Sequence, residues 1–187
     1  MYYDVTLPLT RDMMAEAGKE QEIVLKGHMG THFDVMDKEF PLSYCVLPAV
    51  LFDVTSVPAD REITAEDIDT SLLRKGCFAG FCSGFSERVP YGSRAYHKEH
   101  PQLSYDLIDL LLDCGVSLIA VDFAGLRRGK EHTPADQRCA DRGAFVIENL
   151  YGMSRVPKDV TALTAYTFPI RLIGSSGLPC RVVLGSD

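Results

Sequence analysis

The sequence lacks the features that would assign it to a membrane, to nucleic acid or to secretion. It has no run of 18 uninterrupted apolar residues, so a membrane-spanning helix is not expected. Its 19 basic residues are outnumbered by 26 acidic ones, and a net charge of -7 cannot supply the positive field that holds nucleic acid. The opening MYYDVTLPLTRDMM has neither the basic nor the continuous apolar region of a signal peptide. We therefore expect a cytoplasmic protein that binds neither membranes nor nucleic acid.

Paired metal-binding cysteines are also missing. The six cysteines include no CxxC motif, and several lie in apolar runs such as GCFAGF and SYCVL. Buried free thiols in a reducing cytosol explain this pattern, and a disulfide framework is the alternative. With 46% hydrophobic and 24% charged residues, the composition is that of an ordinary globular protein, and the length predicts one domain over residues 1–187.

Short apolar and β-branched runs dominate the chain and predict strands. The runs are YYDVTL, EIVLKG, AVLFDVT, CFAGFC, SLIAVDF, AFVIENL, ALTAYTFPIRLIG and CRVVLG. Helices are predicted for TAEDIDTSLLRKG, for SYDLIDLLLDCG with its apolar stripe, and from Pro134 to Asp141. Residues 85–104 predict a surface loop or lid. The order of these elements favours an α/β domain with a sheet-rich core.

The segment GHMGTHFD, residues 27–34, brings three metal-binding residue types together. His28 and His32 are four residues apart, and Asp34 follows two residues later. In an extended chain His32 and Asp34 share a face, and the two glycines permit a turn that brings His28 to the same side. Two imidazoles and a carboxylate suit Zn, Mn or Fe and leave room for water and substrate. The alternative is that these are ordinary polar residues of a loop.

Other polar side chains lie at the ends of predicted elements. Glu148 ends the strand AFVI, where a carboxylate often faces a site, although a solvated strand end is the alternative. His132 and Asp136 lie near a predicted helix start, where N-capping or surface solvation is an equal explanation. The basic cluster RRGK at 127–130 predicts either recognition of an anionic substrate group or a solvated turn. The residues that could close over substrate or over a neighbouring subunit are Tyr91, Tyr96, His97 and His100.

These motifs resemble the cyclase family of metal-dependent hydrolases, which includes kynurenine formamidases and isatin hydrolases. The family pattern is HxGTHxDxPxH, and its first seven positions match residues 28–34. The segments YDVTLPLT, IENL and FPIRLIGSSGLPCRVV resemble further family segments in the same order. The resemblance implies a swivelling β/β/α fold, a homo-oligomer (dimer or tetramer), and hydrolysis of an amide, formamide, cyclic amide or ester-like bond of a small molecule by metal-activated water.

The resemblance also implies ligands for one or two divalent ions, Zn or Mn. His28, His32 and Asp34 would bind the first ion, while Asp34, Asp136 and Glu148 would serve the second where the family is binuclear. Asp136 stands where the family has a histidine, and a carboxylate there favours harder ions such as Mn or Mg over Zn.

The largest departure from the family pattern is Lys38, which replaces the histidine expected to be the catalytic base. Lys38 could accept a proton only if burial or a nearby metal lowered its pKa, and Asp37 or Glu39 are other candidates. Two hypotheses therefore stay open. The protein is a hydrolase with Lys38 as catalytic residue, or it is a catalytically impaired homologue that binds a metal or a small carboxylate. His132 remains the alternative to Asp136 as a ligand.

Overall fold

A computed structural model of the protein describes residues 1–17, 24–58, 60–158, 160 and 162–186. Its strands are β1 (Tyr2–Asp4), β2 (His32–Asp34), β3 (Val46–Asp53), β4 (Phe78–Cys82), β5 (Leu118–Val121), β6 (Phe145–Glu148), β7 (Leu163–Pro169) and β8 (Gly177–Ser186). They form one sheet in the order β1-β8-β2-β6-β5-β4-β3-β7, and β7 also pairs with β8. Because the pairing of β7 with β8 joins the two ends of this strand order, the seven strands from β8 to β7 close into a barrel. Strand β1 is not part of the barrel and pairs with β8.

Helices cross between the parallel strands on the outside of the barrel. Strands β3, β4, β5 and β6 are parallel neighbours, whereas β1, β2, β7 and β8 pair antiparallel. The helices are α1 (Arg11–Ala17), α2 (Phe85–Arg88), α3 (Arg94–Lys98), α4 (Tyr105–Asp113) and α5 (His132–Asp141). Parallel strands require such crossovers, and α5 makes the one from β5 to β6. No helix in the described part of the chain is long and apolar enough to cross a membrane.

The core has two parts because the central strands are buried on both faces. In β5, Leu118 and Ala120 pack inside the barrel, whereas Ile119 and Val121 pack in the cluster that includes the apolar stripe of α4. This alternation follows from the two-residue period of a strand. It also means that the polar side chains of β2 and β6 lie on the outer face, beneath the helices.

The α/β class with a sheet-rich core is confirmed, and seven of the eight predicted runs contain a strand. The exception is EIVLKG, in which residues 22–23 lie outside the described part of the chain and Val24 and Leu25 are helical. The helix SYDLIDLLLDCG is confirmed as α4, and the Ser104 side chain accepts a hydrogen bond from the Leu107 N–H. All six cysteines are free thiols, as expected.

Three other predicted elements differ from the structure. TAEDIDTSLLRKG forms two 3₁₀ turns, Ala65–Asp67 and Thr70–Leu72, because Asp67 and Asp69 each bond nearby backbone and stop the helix from continuing. The helix predicted from Pro134 begins two residues earlier, at His132. Residues 85–104 are not a surface loop, since they include α2 and α3 and bury aromatic side chains, with Tyr96 fully enclosed.

Candidate metal centre

Strand β2 carries the first site residues and lies between β8 and β6. His32 is paired with Pro179 on one side and with Glu148 on the other. Phe33 packs inside the barrel, so His32 and Asp34, its neighbours on either side, both point to the outer face. The register therefore places the His32 imidazole beside the Glu148 carboxylate, with His32 Nε2 3.7 Å from Glu148 Oε2.

Three donor atoms of the GHMGTHFD segment converge on one point. His28 Nδ1 lies 3.1 Å from His32 Nε2 and 2.8 Å from Asp34 Oδ1, and His32 Nε2 lies 3.6 Å from Asp34 Oδ1. Metal–ligand bonds of about 2.0 to 2.2 Å put the donors of a tetrahedral ion roughly 3.4 Å apart. The three side chains are thus arranged as one ion requires.

Hydrogen bonds at the outer nitrogens of both rings hold this arrangement. His32 Nδ1 lies 2.9 Å from the Gly30 carbonyl oxygen, so Nδ1 carries the proton and Nε2 is the free donor atom. His28 Nε2 lies 2.8 Å from the Ser176 hydroxyl, which leaves Nδ1 to face the centre. The backbone carbonyl of Ser176 also accepts the N–H groups of Val35 and Met36, so the same residue holds the His28 ring and the chain that follows β2.

Asn149, which follows Glu148, anchors the turn between the two histidines. Its amide donates to the Gly30 carbonyl at 2.9 Å and accepts from the Tyr96 hydroxyl at 3.0 Å, while its own carbonyl accepts from the Thr31 hydroxyl at 2.7 Å. Asn149 adopts a positive φ of 60°, a conformation that asparagine tolerates better than most residues. Sequence reasoning quoted the IENL segment but assigned Asn149 no role.

A second group of donors adjoins the first and shares Asp34 with it. It consists of Asp34, His132, Asp136 and Glu148, whose ligand atoms lie within 4.8 Å of one another. His132 Nε2 is 3.3 Å from both Asp136 Oδ2 and Glu148 Oε1. His132 and Asp136 reach the same point because they are four residues apart on α5. Both alternatives from the sequence therefore lie in the group.

Gly125 makes room for this second group. A Cβ at that position would lie 2.5 Å from His132 Nδ1 and 2.8 Å from Glu148 Oε1, both too close for any side chain. Its φ of +99° is also one that other residues avoid. A glycine after β5 thus allows a ring of α5 and a carboxylate of β6 to meet.

The electrostatics of the site call for a cation. Asp34 Oδ2, Asp136 Oδ1 and Glu148 Oε1 are buried and make no hydrogen bond, and Glu148 Oε1 has only the ion-pair contact with His132 Nε2. Burial, together with the Asp34 charge, raises the pKa of Asp136 and of Glu148 well above the usual range. Burial opposes ionisation of Asp34 as well, but His32 and His28 hold the pKa of Asp34 far below its usual value. Buried unpaired carboxylates are costly, and a divalent ion would compensate them, so the residues fit a metal.

A cavity of about 410 Å³ opens at the two donor groups. All five histidines of the chain line it, together with Tyr91 and Glu148. A larger cavity, of about 690 Å³, lies along β3 and β7; its lining mixes apolar residues with charged ones such as Asp53, Arg74 and Lys158 and includes none of the clustered donors. The chemistry of the protein is therefore concentrated at the smaller cavity.

The sequence matches the model of a known protein family. The sequence model of the Cyclase family, described as "Putative cyclase", matches residues 3–126. The chain belongs to the cyclase family. The matched part includes the first donor group and Gly125, whereas the rest of the second donor group, on α5 and β6, lies beyond it. Among curated proteins, no significant match was found.

Solved structures resemble this cyclase-family chain along most of its length. A "Potential Metal-Dependent Hydrolase With Cyclase Activity" is 27% identical with a TM-score of 0.76, covering 98% of this chain and 96% of that one. A "predicted metal-dependent hydrolase from Bacillus stearothermophilus" is 25% identical with a TM-score of 0.74, covering 98% and 97%. Isatin hydrolase A from Labrenzia aggregata, at 19% identity and a TM-score of 0.69 over 83% and 72% of the two chains, shares the fold alone. The fold class implied by the resemblance is confirmed.

Lys38 does not lie in the surroundings that a proton acceptor at this position would need. Its ammonium group lies 3.0 Å from Asp37 Oδ1 and 2.9 Å from Asp141 Oδ1, at the C-terminal end of α5. These two carboxylates raise the pKa of Lys38 instead of lowering it. Lys38 is also not part of the lining of the 410 Å³ cavity. The contacts of Lys38 therefore act against the lowered pKa that proton acceptance would require.

The two arginines of the RRGK cluster make contacts within the protein. Arg127 is buried, donates to Glu131 through two nitrogens at 3.0 and 2.7 Å, pairs with Glu62, and covers the Tyr105 ring at 4.8 Å. Arg128 donates to the Lys98 carbonyl. With these contacts, Arg127 is not available to bind an anionic substrate.

Proposed function

We propose that this cyclase-family protein is a metal-dependent hydrolase that cleaves a C–N or ester-like bond of a small molecule with water. The observation that carries the proposal is the convergence of His28 Nδ1, His32 Nε2 and Asp34 Oδ1 beside buried, unpartnered carboxylate oxygens at an open cavity. The names of two relatives that match nearly the whole chain support it, since one is named a potential and the other a predicted metal-dependent hydrolase.

The residues divide between two ions in our proposal. His28 and His32 would hold the first ion, while His132, Asp136 and Glu148 would hold the second, and Asp34 is common to both groups. Three carboxylates carry three negative charges, which one divalent ion leaves unbalanced and two ions balance with one positive charge to spare. The first group suits Zn or Mn, and the carboxylate-rich second group suits a harder ion such as Mn.

The chemistry of hydrolysis needs a Lewis acid and an activated water, both of which a divalent ion supplies when bound. The protein contributes fixed ligand orientations through the Gly30 carbonyl and the Ser176 hydroxyl. A volume of about 410 Å³ is at the small end of ligand cavities, which favours a single-ring amide, formamide, cyclic amide or lactone.

The second candidate is a homologue that binds a metal or a small carboxylate without hydrolysis. The position of Lys38 favours it, because the residue that replaces the family's base is held by Asp37 and Asp141. A large gain of hydrolysis in Lys38→His would support this candidate over the enzyme.

We also propose that the protein is a cytoplasmic homo-oligomer, a dimer or tetramer. Free thiols support the location, since they persist in a reducing compartment. Exposed apolar side chains on neighbouring segments support association; they are Leu42, Val46, Phe168, Ile170 and Ile173. The molar mass in solution, measured by light scattering, tests this proposal.

The test of function compares metal content with turnover. Elemental analysis should find divalent metal in the purified protein, and N-formyl aromatic amines, cyclic amides and lactones should include a substrate that is hydrolysed. Chelation should remove the activity and added Zn or Mn should restore it. His28→Ala should lose metal and activity together, whereas Asp109→Asn, which changes an exposed ion pair with Arg138, should change neither. Full metal loading with no turnover of any substrate would contradict hydrolysis.

A further inference from the structure

A hydrolase of the proposed kind needs a group that accepts a proton from water, and the structure offers an alternative to position 38. Of the five histidines, His28, His32 and His132 belong to the donor groups, which leaves His97 and His100. Both line the cavity, but the His97 side chain is exposed, whereas His100 is buried. This inference rests on the proposed hydrolysis.

The contacts of His100 hold its ring in one orientation. The imidazole stacks on Phe123 with ring centroids 5.7 Å apart and an interplanar angle of 18°, and the Phe85 ring meets it edge-on at 6.5 Å. His100 Nδ1 lies 2.7 Å from the Pro101 carbonyl oxygen. A carbonyl can only accept a hydrogen bond, so Nδ1 carries the proton and Nε2 carries the lone pair.

The second nitrogen of this ring is available to the cavity. Among the residues that the structure describes, none forms a hydrogen bond with His100 Nε2. This nitrogen is also not one of the fully buried polar atoms that lack a partner, so it is open to the cavity. A buried imidazole normally satisfies both nitrogens, so a free acceptor in a wall of the cavity needs an explanation.

We propose that His100 Nε2 accepts the proton of the attacking water and returns it to the leaving group. The ring is held by its other nitrogen and by two aromatic side chains, which is the support that a general base requires. His100 thus supplies the function that the family pattern gives to the position of Lys38.

The protonation state of His100 is compatible with this role. Burial lowers the pKa of His100 to about 4, and the charges of Arg128, His132 and His97 act in the same direction. The imidazole is therefore neutral near pH 7 and able to accept a proton. An acceptor with a pKa in the carboxylate range is sufficient beside a metal, because a glutamate is the base in H-E-x-x-H metalloproteases.

For an amide substrate the proton balance closes without any further reactant. As the water oxygen bonds to the carbonyl carbon, one water proton moves to His100 Nε2 and the carbonyl π pair moves to oxygen. The oxygen pair then re-forms the carbonyl as the C–N bond breaks, and the electron pair of that bond goes to nitrogen, which takes the proton from His100. One amide and one water yield one acid and one amine, and His100 returns to its neutral form.

The test replaces His100 by two amides. In His100→Asn the side-chain amide can keep the hydrogen bond to Pro101 but has no group in place of Nε2, and His100→Gln fills the ring volume better without a basic nitrogen. For each variant, kcat, KM, bound metal and thermal stability would be measured on the metal-loaded protein. We expect kcat to fall by about 10²- to 10⁴-fold with unchanged metal content and a KM within a few fold. Phe52→Leu, which changes a buried ring of the same apolar cluster that pairs with Phe81, is the packing control and should keep kcat.

The outcomes separate this proposal from the proposed function. Near wild-type kcat in either folded amide variant would overturn the role of His100 while hydrolysis stands. A wild-type protein without turnover of any substrate would overturn both. If neither amide variant folds, His100→Ala assayed with added imidazole decides the question, since recovery of kcat supports the base and no recovery in a folded protein refutes it.

Discussion

The two donor groups at the cavity differ in how the chain builds them. The first group lies within seven residues, and hydrogen bonds from His28 to Ser176 and from His32 to Gly30 hold its rings without help from an ion. The second is assembled from β2, α5 and β6, and its carboxylates include buried oxygens with no partner. The first group is therefore preorganised, whereas the second depends on a cation to compensate its charges.

This difference shows where metal binding and folding are linked. A preorganised ligand set adds affinity because little has to be ordered when the ion binds. A cluster of buried carboxylates instead destabilises the metal-free protein, so part of the binding energy of the ion relieves that cost. We expect the first group to hold its ion even when little metal is present. The occupancy of the second group should depend strongly on the metal concentration.

Substitution of the shared ligand should have the largest effect. Asp34→Asn removes the charge common to both groups, so we expect loss of both ions and a decrease of kcat of more than roughly 10³-fold, or ~4 kcal/mol of barrier. Elemental analysis and steady-state kinetics measure these two changes. Asp109→Asn, the same chemical change at an exposed ion pair, is the control. Retention of two ions by Asp34→Asn would show that Asp34 does not bridge the groups.

A smaller effect is expected when only the second group is changed. His132→Asn and Asp136→Asn each remove one donor 3.3 Å from its partner, so each should lose the second ion, keep the first, and lower kcat by roughly 10²-fold, or ~2.7 kcal/mol. Titration with Mn²⁺ followed by calorimetry would count the remaining sites. If one of the two variants binds both ions as the wild type does, the residue substituted in it is not a ligand. The remaining residue of the pair then takes the place of the histidine in the family pattern.

The same comparison explains which part of the site the sequence could predict. His28, His32 and Asp34 lie in one segment, where spacing and strand alternation suffice to place them on one face. His132 and Asp136 could not be distinguished because the helix begins at His132, before the proline that signals a start. Gly125 and Asn149 act through close approach and through long-range hydrogen bonds, which no local pattern reveals.

The fold, like the site, could be predicted from the sequence only where local properties determine it. Apolar runs located seven of the strands, since their composition and length are local properties. Closure of the barrel depends on the pairing of β7 with β8, two strands whose sequences indicate no partner. The sequence of residues 85–104 wrongly predicts a loop because its buried residues, such as Tyr96 and His100, have no helical or strand period and are enclosed by tertiary contacts.

The smallest effect is expected at Lys38, and it decides between two candidate proton acceptors. Lys38 pairs with Asp37 and Asp141 on the surface and has a raised pKa, so Lys38→Ala should leave kcat within about threefold of wild type, in contrast to the 10²- to 10⁴-fold that a general base contributes. Kinetics at matched metal loading measure this, and Lys158→Ala, which breaks another exposed lysine–aspartate pair, is the control. A loss of kcat above about 10²-fold in Lys38→Ala alone would instead confirm the prediction from the sequence. It would mean that the turn after β2 brings Lys38 to the cavity once metal and substrate are bound. The segment of chain that carries the first donor group would then also supply the base.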